Sequence, residues 1–184
     1  IYMSGYTESS DFPIEAAYQN TLRGSMDAFV CKISAPDLGA LCGAVDNCDL
    51  TWTTGGSANW FEETDTAYYG DDAAQSGAIS NSQSSYIQTT VTGPGVLTFR
   101  WSVSSESYYD SLAFYIDSNL QNKISGSVIW EQQTFILPSG TYMLKWSYEK
   151  DSSSSAGSDC GWLDKVEYTP MPEIELNRNQ LTFG

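Results

Sequence analysis

Leu97-Thr98-Phe99-Arg100-Trp101-Ser102-Val103 puts a large apolar side chain at every second position with a polar one between. Successive side chains of a strand point to opposite faces, so this run predicts a strand with one face in a core and one in water. The same alternation recurs in Leu112-Ala113-Phe114-Tyr115-Ile116-Asp117 and in Tyr142-Met143-Leu144-Lys145-Trp146-Ser147-Tyr148. Gly93-Pro94-Gly95, Ser118-Asn119 and Pro138-Ser139-Gly140 separate these runs and read as turns. Helical periodicity is weak everywhere. Short strands with one apolar face, recurring at such intervals, predict an all-β chain whose body, residues 48–170, is an antiparallel β-sandwich.

The flanks differ from the body. Residues 1–34 read as short strand, turn-rich loop, short strand, the second strand being Asp27-Ala28-Phe29-Val30-Cys31-Lys32-Ile33. An isolated strand pair is marginal in water, so it is expected to pack on the body, on an upstream region or on another chain. Residues 35–47, with Pro36, Gly39, Gly43, Asp46 and Asn47, read as a connector. Residues 171–184 form a tail opened by Met171-Pro172, in which Ile174, Leu176, Leu181 and Phe183 lie in a strand-like segment. This strand is expected to start a further domain or to pair with a neighbouring subunit.

The 184 residues carry 8 Lys+Arg against 23 Asp+Glu, a net charge of −15, and no histidine. A chain this acidic repels nucleic-acid phosphates and anionic membrane surfaces. Without histidine there is no Ser-His-Asp or Cys-His nucleophile and no His-ligated zinc. Seven Phe, 6 Trp and 12 Tyr supply the apolar bulk that disordered chains lack. No run of apolar residues is long enough to span a bilayer as a helix. The chain opens at Ile1 without a signal-peptide pattern, as expected if a leader has been removed.

Cys31, Cys42, Cys48 and Cys160 contain no C-x-x-C pair, which leaves zinc-ribbon and thioredoxin-like sites without support. Two disulfides in an oxidising compartment are the expectation, with three pairings open. The preferred pairing is Cys31–Cys42, closing the connector, with Cys48–Cys160 tying the opening of the body to its closing strand.

Two resemblances add to this. Ser4-Gly5-Tyr6 through Asp11-Phe12-Pro13 to Asp27-Ala28-Phe29-Val30 resembles one SBBP-type β-propeller repeat of secreted bacterial proteins, although a single copy implies no closed propeller. The body resembles a jelly-roll module of large secreted bacterial surface proteins, akin to MAM and carbohydrate-binding-module sandwiches. The resemblance rests on Ala73-Ala74-Gln75-Ser76-Gly77, Thr89 to Gly95, Trp101 to Glu106, Tyr109-Asp110, Phe114 to Asp117, Trp130, Trp146 to Asp151 and Trp162-Leu163-Asp164. Cys160 stands where that module is expected to have a small residue, and Pro172-Glu173-Ile174-Glu175-Leu176 resembles the first strand of an Ig-like domain. The resemblance implies a jelly roll at the bacterial cell surface or secreted, usually non-catalytic. It also implies a structural calcium between the early loop and the final strand, which maps to Asp71, Asp72 and Asp164.

Calcium takes six to eight oxygen ligands, which sandwich loops can supply, but no EF-hand loop pattern is present. The alternative is a solvated acidic face. Tyr68, Tyr69 and Tyr108, with Trp60-Phe61 and Tyr109, lie in loop-like surroundings and are candidates for a sugar-stacking platform, whereas Trp52, Trp101, Trp146 and Trp162 read as core. Glu106, Asp110 and Asp159 could add polar groups to a ligand site, or could brace long loops around Lys150. No carboxylate pair sits in a recognisable glycosidase motif. The expected function is a non-enzymatic secreted structural or adhesion module. The alternatives are a filament subunit joined by strand exchange and a carbohydrate-binding module. Expected partners are neighbouring domains, identical subunits or a glycan.

Overall fold

The computed structural model describes Tyr2–Thr7, Asp27–Lys32 and residues 38–172, and the chain divides into two units at Asp37/Leu38. In the first unit β1 (Tyr2–Thr7) pairs antiparallel with β2 (Asp27–Lys32), Tyr2 opposite Lys32 and Thr7 opposite Asp27. Ile174, Leu176, Leu181 and Phe183 lie outside the described residues.

The second unit begins with α1 (Leu38–Ala44), inside the stretch expected to be a connector. Apolar residues at 41, 44 and 45 fall on one helical face, and Leu41, Ala44 and Val45 are buried in the core. Residues 38–47 therefore belong to the body. The strands follow as β3 (Thr53–Gly56), β4 (Phe61–Glu63), β5 (Ala73–Gln75), β6 (Ser84–Ser104), β7 (Ser111–Ile116), β8 (Asn119–Ser125), β9 (Ser127–Glu149) and β10 (Cys160–Pro170).

β6 and β9 pair antiparallel along their whole length, from Ser84 opposite Glu149 to Ser104 opposite Ser127, with a register shift at Gly93/Gly95. Gly93-Pro94-Gly95 and Pro138-Ser139-Gly140 are thus not turns between strands. They are points inside two long strands. A Cβ on Gly93 would collide with Pro138 O, which is why the close approach there takes glycine. The ladder folds over at this point. Trp146 pairs with Ile87 at one end, yet its ring lies 5.1 Å from that of Phe99, which belongs to the other half of β6.

The sheet order is β4-β5-β10-β6-β9-β7-β8, with β3 beside the first half of β6. Folding the ladder gives two layers. One holds β3, the first half of β6, the second half of β9, β7 and β8. The other holds β4, β5, β10 and the remaining halves of β6 and β9. The chain is an all-β antiparallel sandwich. Its centre is a cluster of rings from both layers: Phe99 meets Phe114 at 4.9 Å and Phe135 at 6.1 Å, and Phe114 meets Trp146 at 4.9 Å. Trp52, Trp101, Trp146 and Trp162 are buried, as expected. The turn between β7 and β8 falls at Asp117-Ser118, one residue before the expected Ser118-Asn119, and both residues take positive φ (48° and 67°), which suits a two-residue hairpin.

The cysteine pairing differs from the preferred one. Cys42 bonds Cys48 across a separation of six residues, because the turn after α1 brings their Cα atoms to 4.7 Å. Neither Cys31–Cys42 nor Cys48–Cys160 forms. Cys160 is a buried free thiol at the start of β10, and burial, with the charges of Asp159 and Glu63, pushes it up to about 12.

Candidate functional site

β10 carries an irregularity that makes the site. Its ladder with β6 shifts register between Asp164 and Glu167, and Lys165 takes a positive φ of 47°. Leu163 and Val166 both enter the core, so Asp164 and Lys165, adjacent in sequence, are left together on the outer side. A β-bulge re-aims side chains in this way.

Asp164 is fully buried beneath the loop that carries Tyr68 and Tyr69. Its Oδ2 accepts from the backbone N–H of Tyr68 at 2.7 Å and of Tyr69 at 3.0 Å. Its Oδ1 is buried and receives no donor. The Asp46 carboxyl lies within hydrogen-bonding reach of Asp164, and Asp72 adds a third charge. Partial burial, the Asp164 contact, and the charges of Asp164 and Asp72 push Asp46 up to about 6, with Lys165 acting in the opposite sense.

Local structure explains how these three meet. Asp46 follows α1 at a positive φ of 57°, where its N–H donates to Gly43 O and ends the helix. The same turn is pinned to the bulge, since Val166 N donates to Val45 O and Asn47 Nδ2 to Val166 O. Asp72 follows a turn at Gly70. Asp71 is exposed, and Asp46, which the sequence reading did not select, interacts with Asp164. Three carboxylates from three chain segments thus lie near one another electrostatically, and one of them has a buried oxygen lacking any hydrogen-bond donor.

The tyrosines held by Asp164 stand over the outer face of the sheet. Tyr68 and Tyr69 are 42% and 52% exposed. The Tyr68 ring packs 6.2 Å from the half-buried Trp130 of β9, at an interplanar angle of 58°. Arg100 Cζ lies 4.3 Å from the Tyr68 centroid, and Lys165 Nζ 4.5 Å from that of Tyr69. Arg100 Nη2 also donates to Gln132 Oε1 at 2.8 Å. Arg100 and Lys165 also line a small, open depression with Thr98, Phe99, Gln132 and Glu167. It offers cationic and amide donors and carboxylate and hydroxyl acceptors. Trp130, Arg100 and Gln132 were not singled out from the sequence as site residues.

The other platform candidates sit elsewhere. Trp60 is buried, against the expectation of a loop platform. Tyr108 is 90% exposed, but its N–H is tied to Ser125 Oγ at the β6–β7 loop, and among the described residues no ring contact joins it to Tyr68 or Tyr69. Asp110 is fully buried and so cannot meet a ligand at the surface. It is the centre of a brace: Lys150 Nζ donates to Asp110 Oδ2, Asp159 Oδ1 and Ser155 Oγ, and Asp151 N to Asp110 Oδ1. Burial opposes the charged ammonium, yet Asp159 and Asp110 outweigh it and raise Lys150 above its ordinary value. Tyr148 donates to Asp159 Oδ1, and burial, with that bond, pushes its phenol up. Oxygens of Glu106, Asp110 and Asp151 lie within 4.8 Å of one another, next to the Lys150 charge.

No protein-family model and no curated protein matches the sequence. Solved structures do. The secreted serine protease VesC from Vibrio cholerae superposes with a TM-score of 0.50 at 14% identity, over 79% of this chain and 30% of that one. TmCBM61, solved in complex with beta-1,4-galactotriose, gives 0.43 at 12% identity over 65% and 88% of the two chains. The K1 cleaved adhesin domain of Lys-gingipain from Porphyromonas gingivalis W83 gives 0.46 at 19%, over 66% and 91%. The chain thus spans less than a third of the protease it resembles. At these identities the likeness establishes the fold alone.

Proposed function

We propose that this chain is an extracellular, non-catalytic module that binds a glycan across the outer face of β10, β6 and β9. The observation that carries the reading is the group of Tyr68, Tyr69 and Trp130 beside Arg100, Gln132, Lys165 and Glu167. Sugar rings present apolar C–H faces and rows of hydroxyls. Concave sites with aromatic walls and a few placed polar groups suit such ligands. Arg100 and Lys165 press against the tyrosines and hold the rings in place while keeping N–H donors free for hydroxyl oxygens. An adhesive role at a bacterial surface follows from glycan binding by a module that brings no catalytic machinery of its own. A structural calcium at the loop of Asp71 and Asp72 with Asp164, as the resemblance implies, is part of the proposal.

Glycan-array screening of the purified chain, followed by titration of any hit, tests this. Trp130→Ala and Tyr69→Ala should each weaken binding about tenfold or more, equivalent to about 1.4 kcal/mol. Absence of any glycan ligand, or binding indifferent to both substitutions, overturns the reading.

A further inference from the structure

With 8 Lys+Arg against 23 Asp+Glu, a basic side chain of this molecule has carboxylates in excess to pair with. Among the described residues, however, the ion pairs are those of Lys150 with Asp110 and Asp159, and Arg100 and Lys165 form none. These two are held on aromatic rings instead, Arg100 Cζ 4.3 Å from the Tyr68 centroid and Lys165 Nζ 4.5 Å from that of Tyr69. The two tyrosines are adjacent, and Asp164 Oδ2 accepts from both of their amides. Asp164 lies opposite Arg100 in the β10–β6 ladder, and Lys165 is the next residue, so the two cations line one depression. Of its lining residues only Glu167 is acidic, and Thr98 Oγ1 donates to it at 3.2 Å. The depression thus presents two positive charges against one negative, on a molecule whose net charge is −15.

We infer that the ligand of this face is an acidic glycan, with a uronic-acid carboxylate held by Arg100 and Lys165. This rests on the glycan reading and adds to it the class of sugar. A ring contact uses the flat face of a guanidinium and leaves its in-plane N–H groups free. Arg100 has five such donors, and one of them, from Nη2, goes to Gln132 Oε1. Two neighbouring donors of the same planar fork match the two oxygens of a carboxylate, and the Lys165 ammonium adds three more donors. A neutral sugar needs partners only for hydroxyls, which side-chain amides serve as well, so it gives no reason for two unpaired cations. Packing on the tyrosines also means that neither long side chain has to be ordered when the ligand arrives. Opposing this, the net charge repels any anion, and Asp46 is close enough to feel the Lys165 charge. Those acids act from a distance, through water and across a Debye length of about 8 Å at physiological salt, whereas the two cations act at hydrogen-bonding contact. Contact wins.

The test is calorimetric titration of the full chain, at about 0.15 M salt, with oligomers of galacturonate, glucuronate and mannuronate, each beside its methyl ester. The ester keeps the sugar and its hydroxyls and removes only the charge. At least one acid should bind about tenfold or more tighter than its ester, the gain expected of a charge-assisted contact. Arg100→Gln and Lys165→Gln should each reduce that preference by about threefold or more, and the double substitution should abolish it while ester binding changes by less than about twofold. Equal binding of acid and ester, or a preference untouched by both substitutions, overturns the inference. Equal loss of acid and ester binding in the variants also overturns it, because the cations then only support the tyrosines. A neutral glycan that binds where no uronate does overturns the acidic class and upholds the glycan reading. Binding of no glycan of either kind overturns both.

Discussion

Lys150 Nζ lies 2.9 Å from Asp110 Oδ2, and the two side chains are 1% and 0% exposed. The pair joins the end of β9 to the residue before β7, and Asp159 extends it to the residue before β10. Two connections, β6–β7 and β9–β10, thus converge on one ammonium. Lys150→Met leaves the Asp110 carboxylate buried without its cation, and should cost about 3–5 kcal/mol in urea unfolding. Adding Asp110→Asn should recover part of that loss, because the orphaned charge is gone. A small effect from the single substitution would mean that the network contributes little.

The same network sets the acid limit of stability. Burial acts to raise Asp159, but the bonds from Lys150 and Tyr148 and the Lys150 charge hold it below its ordinary 3.8. The folded state then binds fewer protons than the unfolded chain in the acid range. Its contribution is complete above the ordinary carboxylate value and is lost as pH falls through the lowered one. Melting temperature should therefore drop between about pH 5 and pH 2, and the drop should be shallower in Lys150→Met.

The cysteines should behave differently from one another. In a Cys31→Ser background, Cys160 should react with alkylating reagent only upon unfolding, since its thiol is buried and remains protonated at neutral pH. Opening Cys42–Cys48 by Cys48→Ser should cost about 2 kcal/mol, as expected for so short a loop. Rapid labelling of native Cys160 would contradict its placement.

Phe99 touches Trp101, Phe114, Phe135 and Trp146. Phe99→Ala removes the ring through which the layers meet and should cost about 3–5 kcal/mol, measured by urea unfolding. Ile136→Ala, at a position 74% exposed, should change stability by less than about 0.5 kcal/mol.

Alternation at Leu97–Val103 and Tyr142–Tyr148 was enough to read the sandwich, because those strands bury one face. Ile129 and Ile136 lie on β9 where apolar residues are exposed, so the half of that strand carrying Trp130 gave no such pattern. Gly and Pro in the middle of β6 and β9 looked like turns because the same residues serve close approach at a fold in a strand. Trp60 looked like a loop residue because β4, which follows it, is only three residues long. The site depends on two left-handed residues, Asp46 and Lys165, whose conformation is set by tertiary contacts. One trace of it was visible: Leu163 and Val166, three apart, break the period of two that the strand otherwise keeps.

The continuity of β6 and β9 also bears on how the molecule assembles. Both layers share the same two chain segments, so neither layer is an independent unit that forms first and waits for the other. Closing the ladder brings Ser84 to Glu149, with about half of the body between them. Contacts so distant in sequence make for slow folding. They also couple the two faces, so that β3 and β10, which never pair with each other, should lose protection in one kinetic step.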